Sequence, residues 1–163
     1  MQEEPFQMSS QEVDIHVDAE GDWHYGPRLI FRKEILQTFY EHLGRDEDGG
    51  YFLDWQGAHH PIQVDDTPFV VTRVDKVTDE TGAERIRLTL KHLEEAEWLD
   101  PETLWVGRDN VLYCRVRGGS FPARFSRPAY YQIAQWIEPD EKGEGFVLRV
   151  GDGRYPIPIN GPA

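Results

Sequence analysis

From Val13 the stretch VDIHVD alternates apolar and polar positions, as a strand with one buried face does, with Ile15 and Val17 inward. The turn AEGD follows, and Trp23 to Phe31 is expected to return as a second strand. The period then lengthens. In RKEILQTFYEHL, Ile35, Leu36, Phe39 and Leu43 share one helical face, and Gly44 is placed to cap the helix end. RDEDGG reads as a charged loop, and YFLDW and HHPIQV flank Gly57 as a hairpin. The expected order is ββαββ.

Asp65-Asp66-Thr67-Pro68 reads as a connecting turn, after which FVVTRVDKV and ERIRLTLKH form a long hairpin across DETGA. Arg85, Arg87, Thr89 and Lys91 alternate with Ile86, Leu88 and Leu90, so these polar side chains share a face. EEAEWLDPET reads as an acidic loop and LWV as a short strand. Next, Leu112, Cys114 and Val116 alternate inward, leaving Tyr113, Arg115 and Arg117 on the opposite face. Ser126 suits a helix N-cap and Pro128 its first turn. That helix is expected to bury Tyr130, Ile133, Ala134 and Ile137, and GFVLRV with RYPIPI makes a closing hairpin around Gly151 and Gly153.

These two patterns read as one unit used twice. At a shift of 95 residues (122 − 27 = 95) Pro27 falls on Pro122, Arg32 on Arg127, Gln37 on Gln132 and Leu53 on Leu148. Without a gap, Gly50 meets Gly145 and Pro61-Ile62 meets Pro156-Ile157. Shared secondary structure alone rarely yields such a match, so duplication is the reading. The predicted fold is α+β: two duplicated ββαββ motifs with a central β-hairpin, the C-terminal half a curved sheet capped by a helix. The expected domains are a flexible tail over 1–12, an N-terminal repeat domain over 13–66 and a C-terminal one over 67–160.

Charge adds a contrast. Thirty acidic against 17 basic residues give a net charge of −13, which disfavours bulk nucleic acid and anionic membrane as partners. Yet Val111 to Ile137, VLYCRVRGGSFPARFSRPAYYQIAQWI, has no acidic residue and carries Arg115, Arg117, Arg124 and Arg127. Arg32 and Arg127 are each expected in the first turn of a repeat helix, where a cation costs about 0.3–1 kcal/mol against the helix dipole. A structural carboxylate such as Asp54, Asp65 or Asp66 answers that cost, and so does an anionic ligand. Trp23 and Tyr113 lie near the arginine-bearing strands as candidates to stack on a base. The reading is a non-catalytic binding or signalling protein that holds a small anionic, nucleotide-like ligand between its two halves.

Other chemistry is thin. His59 and His60 are neighbours on a strand and point to opposite faces, so they do not share a metal. No HExxH, GxSxG, phosphate-loop or GxGxxG pattern occurs, and no cofactor or metal is expected. Cys114 is the single cysteine and reads as core; with no apolar run long enough to span a bilayer and no signal-like start in MQEEPFQMSS, the expected setting is cytoplasmic. One rival is a protein-interaction adaptor with no small ligand. A weaker rival is a hydrolase or transferase acting on a phosphorylated metabolite, with Asp65, Asp66 or His92 as base.

GDWHYGPRLIFRKEIL, VDDTPF and YCRVRGGSFPARFSRPAYYQI together resemble the bacterial family known as domain of unknown function 1285, over Val13 to Ile159. The resemblance implies two α+β halves built by duplication, the second similar to a pleckstrin-homology domain. It also implies a nucleotide-type ligand between the halves and a role in signalling. The chain departs from the family pattern at LDWQGAHHP, where a Thr-Pro-containing segment is usual, and at LRVGDGRYP in the final hairpin.

Overall fold

The computed structural model describes residues 14–159, so the expected tail over 1–12 and Val13 lie outside the described residues. Two compact units meet in sequence between Asp66 and Thr67. No helix among the described residues is long and apolar enough to cross a membrane.

The first unit contains β1 (Ile15–Val17), β2 (Trp23–Tyr25), β3 (Arg28–Ile30), α1 (Lys33–Glu41), β4 (Leu43–Arg45), β5 (Tyr51–Trp55) and β6 (Ala58–Val64). Its sheet has the order β3-β2-β1-β6-β5-β4, with β1 and β6 parallel and every other neighbour antiparallel. The segment expected as one strand from Trp23 to Phe31 is two, because Gly26 at φ +56 and Pro27 turn the chain and Tyr25 pairs with Arg28. Helix α1 buries Leu36, Phe39 and Tyr40, each such side chain stabilising by roughly 1.5–3 kcal/mol. Gly44 is not its cap; His42 is, and Gly44 lies in β4 beneath the Phe52 ring, 2.4 Å from where a β-carbon would stand.

The second unit contains β7 (Phe69–Thr78), β8 (Glu84–Leu90), β9 (Glu97–Trp98), β10 (Trp105–Val106), β11 (Leu112–Val116), β12 (Phe121–Phe125), α2 (Arg127–Ala134), β13 (Ile137–Pro139), β14 (Phe146–Val150) and β15 (Gly153–Ile157). Six strands run β10-β11-β12-β7-β8-β9, and β13-β14-β15 form a further sheet. A bulge in β7 between Val71 and Arg73 is covered by α2, whose Gln132 Oε1 accepts the Val74 N–H at 2.8 Å. Ser126 caps α2, its hydroxyl accepting the Ala129 N–H at 3.3 Å. The buried residues of this helix are Ala129 and Ile133, while Tyr130, expected inside, is 39% exposed. An eight-residue helix covers the sheet with one i, i+4 stripe, and Tyr130 falls beside it.

The architecture is α+β and the motif is indeed repeated, but it is larger than ββαββ. A parallel bridge pairs Val106 with Ile159, as Val17 pairs with Val64, which joins β10 to the chain just after β15. The second copy therefore reads β12-β11-β10-β15-β14-β13, the order of the whole first sheet, so each copy is βββαβββ. Hairpin registers agree rung for rung: Tyr51↔Ile62 through Trp55↔Ala58 match Phe146↔Ile157 through Val150↔Gly153. In each ladder a proline, Pro61 or Pro156, sits on an unbroken rung, so its ring nitrogen faces outward and leaves no N–H on that side.

The shift is not constant. The helices start 94 residues apart (127 − 33 = 94), so Arg32 is equivalent to Ser126, and Lys33 to Arg127. The register of β2 and β11 sets their shift at 89 (112 − 23 = 89), because Val17 faces Trp23 as Val106 faces Leu112. Longer turns in the second copy absorb the difference.

Part of the negative charge serves one device. At Asp18, Asp46, Asp79 and Asp140 the sequence is Asp-x-x-Gly, and the glycine N–H donates to the carbonyl of that aspartate at 2.9–3.0 Å. Each of these glycines has positive φ, between +70° and +86°, which closes the hairpin without a β-carbon clash. The Asp18, Asp46 and Asp79 carboxylates also accept two backbone N–H groups each from their turns.

Candidate functional site

Strands β10, β11 and β12 are too short and too regular to leave side-chain placement open. Leu112, Cys114 and Val116 of β11, with Phe121, Ala123 and Phe125 of β12, are buried. Alternation then sends Tyr113, Arg115, Pro122 and Arg124 to the other face. Register aligns Trp105, Tyr113 and Arg124 across the three strands, with Arg115 opposite Pro122 one pleat further along. The Trp105 and Tyr113 rings stack with centroids 5.2 Å apart and planes 12° from parallel. The Arg115 guanidinium carbon lies 5.7 Å from the Trp105 ring centre. On the Tyr113 side, a β-carbon at Gly107 would stand 2.7 Å from a ring carbon, so only glycine fits beneath that ring as placed.

The arginines differ in how they are satisfied. Arg115 is anchored through its backbone, whose N–H donates to Thr103 Oγ1 at 3.1 Å. Its guanidinium reaches only the Gly119 carbonyl, at 3.5 Å, and among the described residues it has no carboxylate partner. Arg124 donates its backbone N–H to the buried Thr67 hydroxyl at 3.1 Å. Arg117 sits beyond the end of β11 at φ +55, its N–H donating to Glu97 Oε1 at 2.8 Å and its guanidinium carbon 5.1 Å from the Phe69 ring centre. Arg127 is exposed in the first turn of α2, and among the described residues it has no carboxylate partner.

Two expected site residues belong to the first unit and read differently in place. Trp23 is fully buried, packs against Phe39 and Tyr40, and donates its indole N–H to the Tyr40 hydroxyl at 3.0 Å. With no exposed ring face it cannot stack on a base; it fills the position that Leu112 fills in the second copy. Arg32 is the N-cap residue of α1, caps nothing with its side chain, and meets Glu34 at 3.1 Å. The residue missed from the sequence is Trp105, because a two-residue strand shows no alternation.

The same face of the first unit carries different chemistry. By the 89-residue shift, His16 and His24 stand where Trp105 and Tyr113 stand, with ring centroids 5.8 Å apart. His16 bonds Asp65 at 2.7 Å and His24 bonds Asp18 at 2.8 Å. Partial burial raises the Asp18 carboxyl, but the His24 bond and the Asp22 and Glu20 amides outweigh it and hold the group below its ordinary value. Among the described residues no three His, Cys, Asp or Glu side chains form a group able to hold a metal ion. His59 stacks on Phe52 at 4.2 Å, and His92 lies in a turn after β8 at φ +72.

Cys114 is fully buried, and desolvation, with smaller contributions from Glu97 and Asp100, pushes its thiol far above the ordinary value. The thiolate is the reactive species. Native protein at pH 8 is therefore expected to resist iodoacetamide under conditions that label the urea-unfolded chain completely. Mass spectrometry of the two samples checks this.

The architecture has counterparts among solved structures. A DUF1285 family protein from Silicibacter pomeroyi DSS-3 matches with a TM-score of 0.72 at 21% identity, covering 89% of this chain and 79% of its own. Another from Shewanella baltica OS155 matches with a TM-score of 0.61 at 18% identity, covering 74% of this chain and 90% of its own. The fold of this chain is the fold of those DUF1285 proteins, in line with the resemblance read from its motifs. No family model matches the sequence, and the search of curated proteins found no match.

Proposed function

We propose that this DUF1285-like protein is a non-catalytic binding protein whose second unit recognises a small anionic ligand on the face built by Trp105, Tyr113, Arg115 and Arg124. The observation that carries this reading is Arg115: its guanidinium is held beside an aromatic ring and has no carboxylate partner among the described residues. A planar guanidinium suits a phosphate or carboxylate. The Trp105–Tyr113 stack beside it offers an aromatic edge for a nucleotide-type ligand. The overall charge slows approach of an anion, so affinity rests on close contacts and not on steering. A signalling role in the cytoplasm accords with ligand sensing and with the single free, buried Cys114.

A thermal-shift screen of nucleotides and phosphorylated metabolites tests the reading. At least one anion is expected to raise the melting temperature, and Arg115→Ala is expected to weaken it about 10–100-fold, as loss of a charge-assisted contact of about 1.5–3 kcal/mol implies. No shift with any anion, or equal binding by Arg115→Ala and Arg124→Ala, overturns it. A second reading, a protein-interaction adaptor, is favoured by Tyr130 and Tyr131 on α2, which are 39% and 65% exposed. In that case Tyr131→Ala abolishes partner capture while Arg115→Ala does not.

A further inference from the structure

The β7–β8 hairpin has no counterpart in the first copy of the motif, and beside it lies a groove of about 310 Å³ lined by Lys76, Glu84, Trp136, Glu138 and Arg149. The backbone beneath is common to both copies: Arg149 N–H donates to the Trp136 carbonyl at 2.9 Å as Asp54 N–H donates to the His42 carbonyl at 2.8 Å. What differs is the side chains there and the two residues, Lys76 and Glu84, that the hairpin adds.

One wall is internally satisfied. Glu84 Oε1 accepts the Gly151 N–H at 2.8 Å and lies 3.0 Å from Lys76 Nζ, which stands 4.7 Å from the Trp136 ring centre. The Gly151 amide and the Lys76 ammonium hold the Glu84 carboxyl below its ordinary value, so it stays ionised. Arg149 and Glu138 are not satisfied in this way. They approach only to 3.7 Å, and the second Glu138 oxygen lies 3.5 Å from Arg154. Both distances exceed a charge-assisted hydrogen bond of about 2.7–2.9 Å. A guanidinium and a carboxylate thus line the groove with hydrogen-bonding capacity left over.

The charges of Lys76 and Arg149 cancel those of Glu84 and Glu138, and Arg154 beside Glu138 is offset by Glu141 at 3.0 Å, so a dianion meets as much repulsion as attraction there. A molecule carrying one charge of each sign meets both partners at once. We infer that this groove binds a small zwitterion of the α-amino acid class, its carboxylate on Arg149, its ammonium on Glu138 and its side chain against Trp136. This site is separate in residues from the arginine face, and neither reading depends on the other.

Isothermal titration of the whole chain with the common α-amino acids tests the inference. At least one is expected to bind, and its N-acetylated and decarboxylated forms, each lacking one charge, are expected to bind at least about tenfold more weakly. Arg149→Gln and Glu138→Gln are each expected to weaken the free amino acid by a similar factor, with the melting temperature of the unliganded protein unchanged. Absence of heat from every amino acid at millimolar concentration overturns the site. So does equal binding of the blocked forms, or binding by both variants at the original affinity. Should a variant fail to fold, the blocked forms alone decide.

Discussion

Trp23→Ala is expected to destabilise the first unit by about 3–5 kcal/mol, the usual cost of truncating a buried aromatic residue. The site gives that figure its cause. Trp23 is wholly enclosed, its ring lies 5.5 Å from Phe39 and 5.2 Å from Tyr40, and its N–H is bonded to the Tyr40 hydroxyl. Removal opens a large cavity and takes the indole N–H from the buried Tyr40 hydroxyl, a lost hydrogen bond that adds about 0.5–1.5 kcal/mol. Small domains are stable by only about 5–15 kcal/mol, so the variant unit is expected to be largely unfolded near physiological temperature. Urea denaturation followed by amide signals of residues 14–66 measures it, while signals of 67–159 report the second unit separately. Trp23→Phe, which keeps much of the packing and loses the N–H, is expected to cost less than half as much. Unchanged stability in Trp23→Ala would mean that the residue is not the core of this unit.

Thr67→Val is the second large effect, and it acts in the other unit. Thr67 is 3% exposed, and its hydroxyl donates to the Phe69 carbonyl at 2.7 Å while accepting the Arg124 N–H at 3.1 Å. Valine has nearly the same shape, so no cavity forms. The change isolates the loss of two hydrogen bonds to backbone groups at the start of the parallel β7–β12 pairing, where Phe69 faces Ala123. At about 0.5–1.5 kcal/mol net for each of the two hydrogen bonds lost, the expected destabilisation is about 1–3 kcal/mol. Because one of those groups belongs to Arg124, ligand affinity at the arginine face is expected to fall along with stability. Thr67→Ser, which keeps the hydroxyl, is expected to restore most of both. Equilibrium unfolding of the three proteins provides the comparison.

The sequence carried these features unevenly, for physical reasons. Strand-type residues flanking turn glycines made the 51–64 and 146–157 hairpins legible, and Ser126 before Arg127-Pro128 marked the start of α2. Alternation alone also placed Cys114 inside. Two-residue strands have no period to read, so β10 gave no hint that Trp105 faces Tyr113. The repeat was visible through its conserved-length hairpins, but a single ungapped shift set Trp23 against Gly118 (118 − 23 = 95) instead of Leu112. That slip paired Arg32 with Arg127, while Trp23 was read as a stacking platform only from its nearness to the arginine-bearing strands. The Asp-x-x-Gly stretches at Asp18, Asp46, Asp79 and Asp140 were open to view, and noticing them would have assigned part of the acidic excess to turn chemistry.

The arginine face is tested most directly by backbone amide NMR of the whole chain titrated with nucleoside monophosphates and with inorganic phosphate as the smallest anion. The account predicts saturable shifts concentrated at Trp105, Tyr113, Arg115 and Arg124, lost in Arg115→Ala. Shifts confined to other residues, or none at millimolar anion, would contradict it.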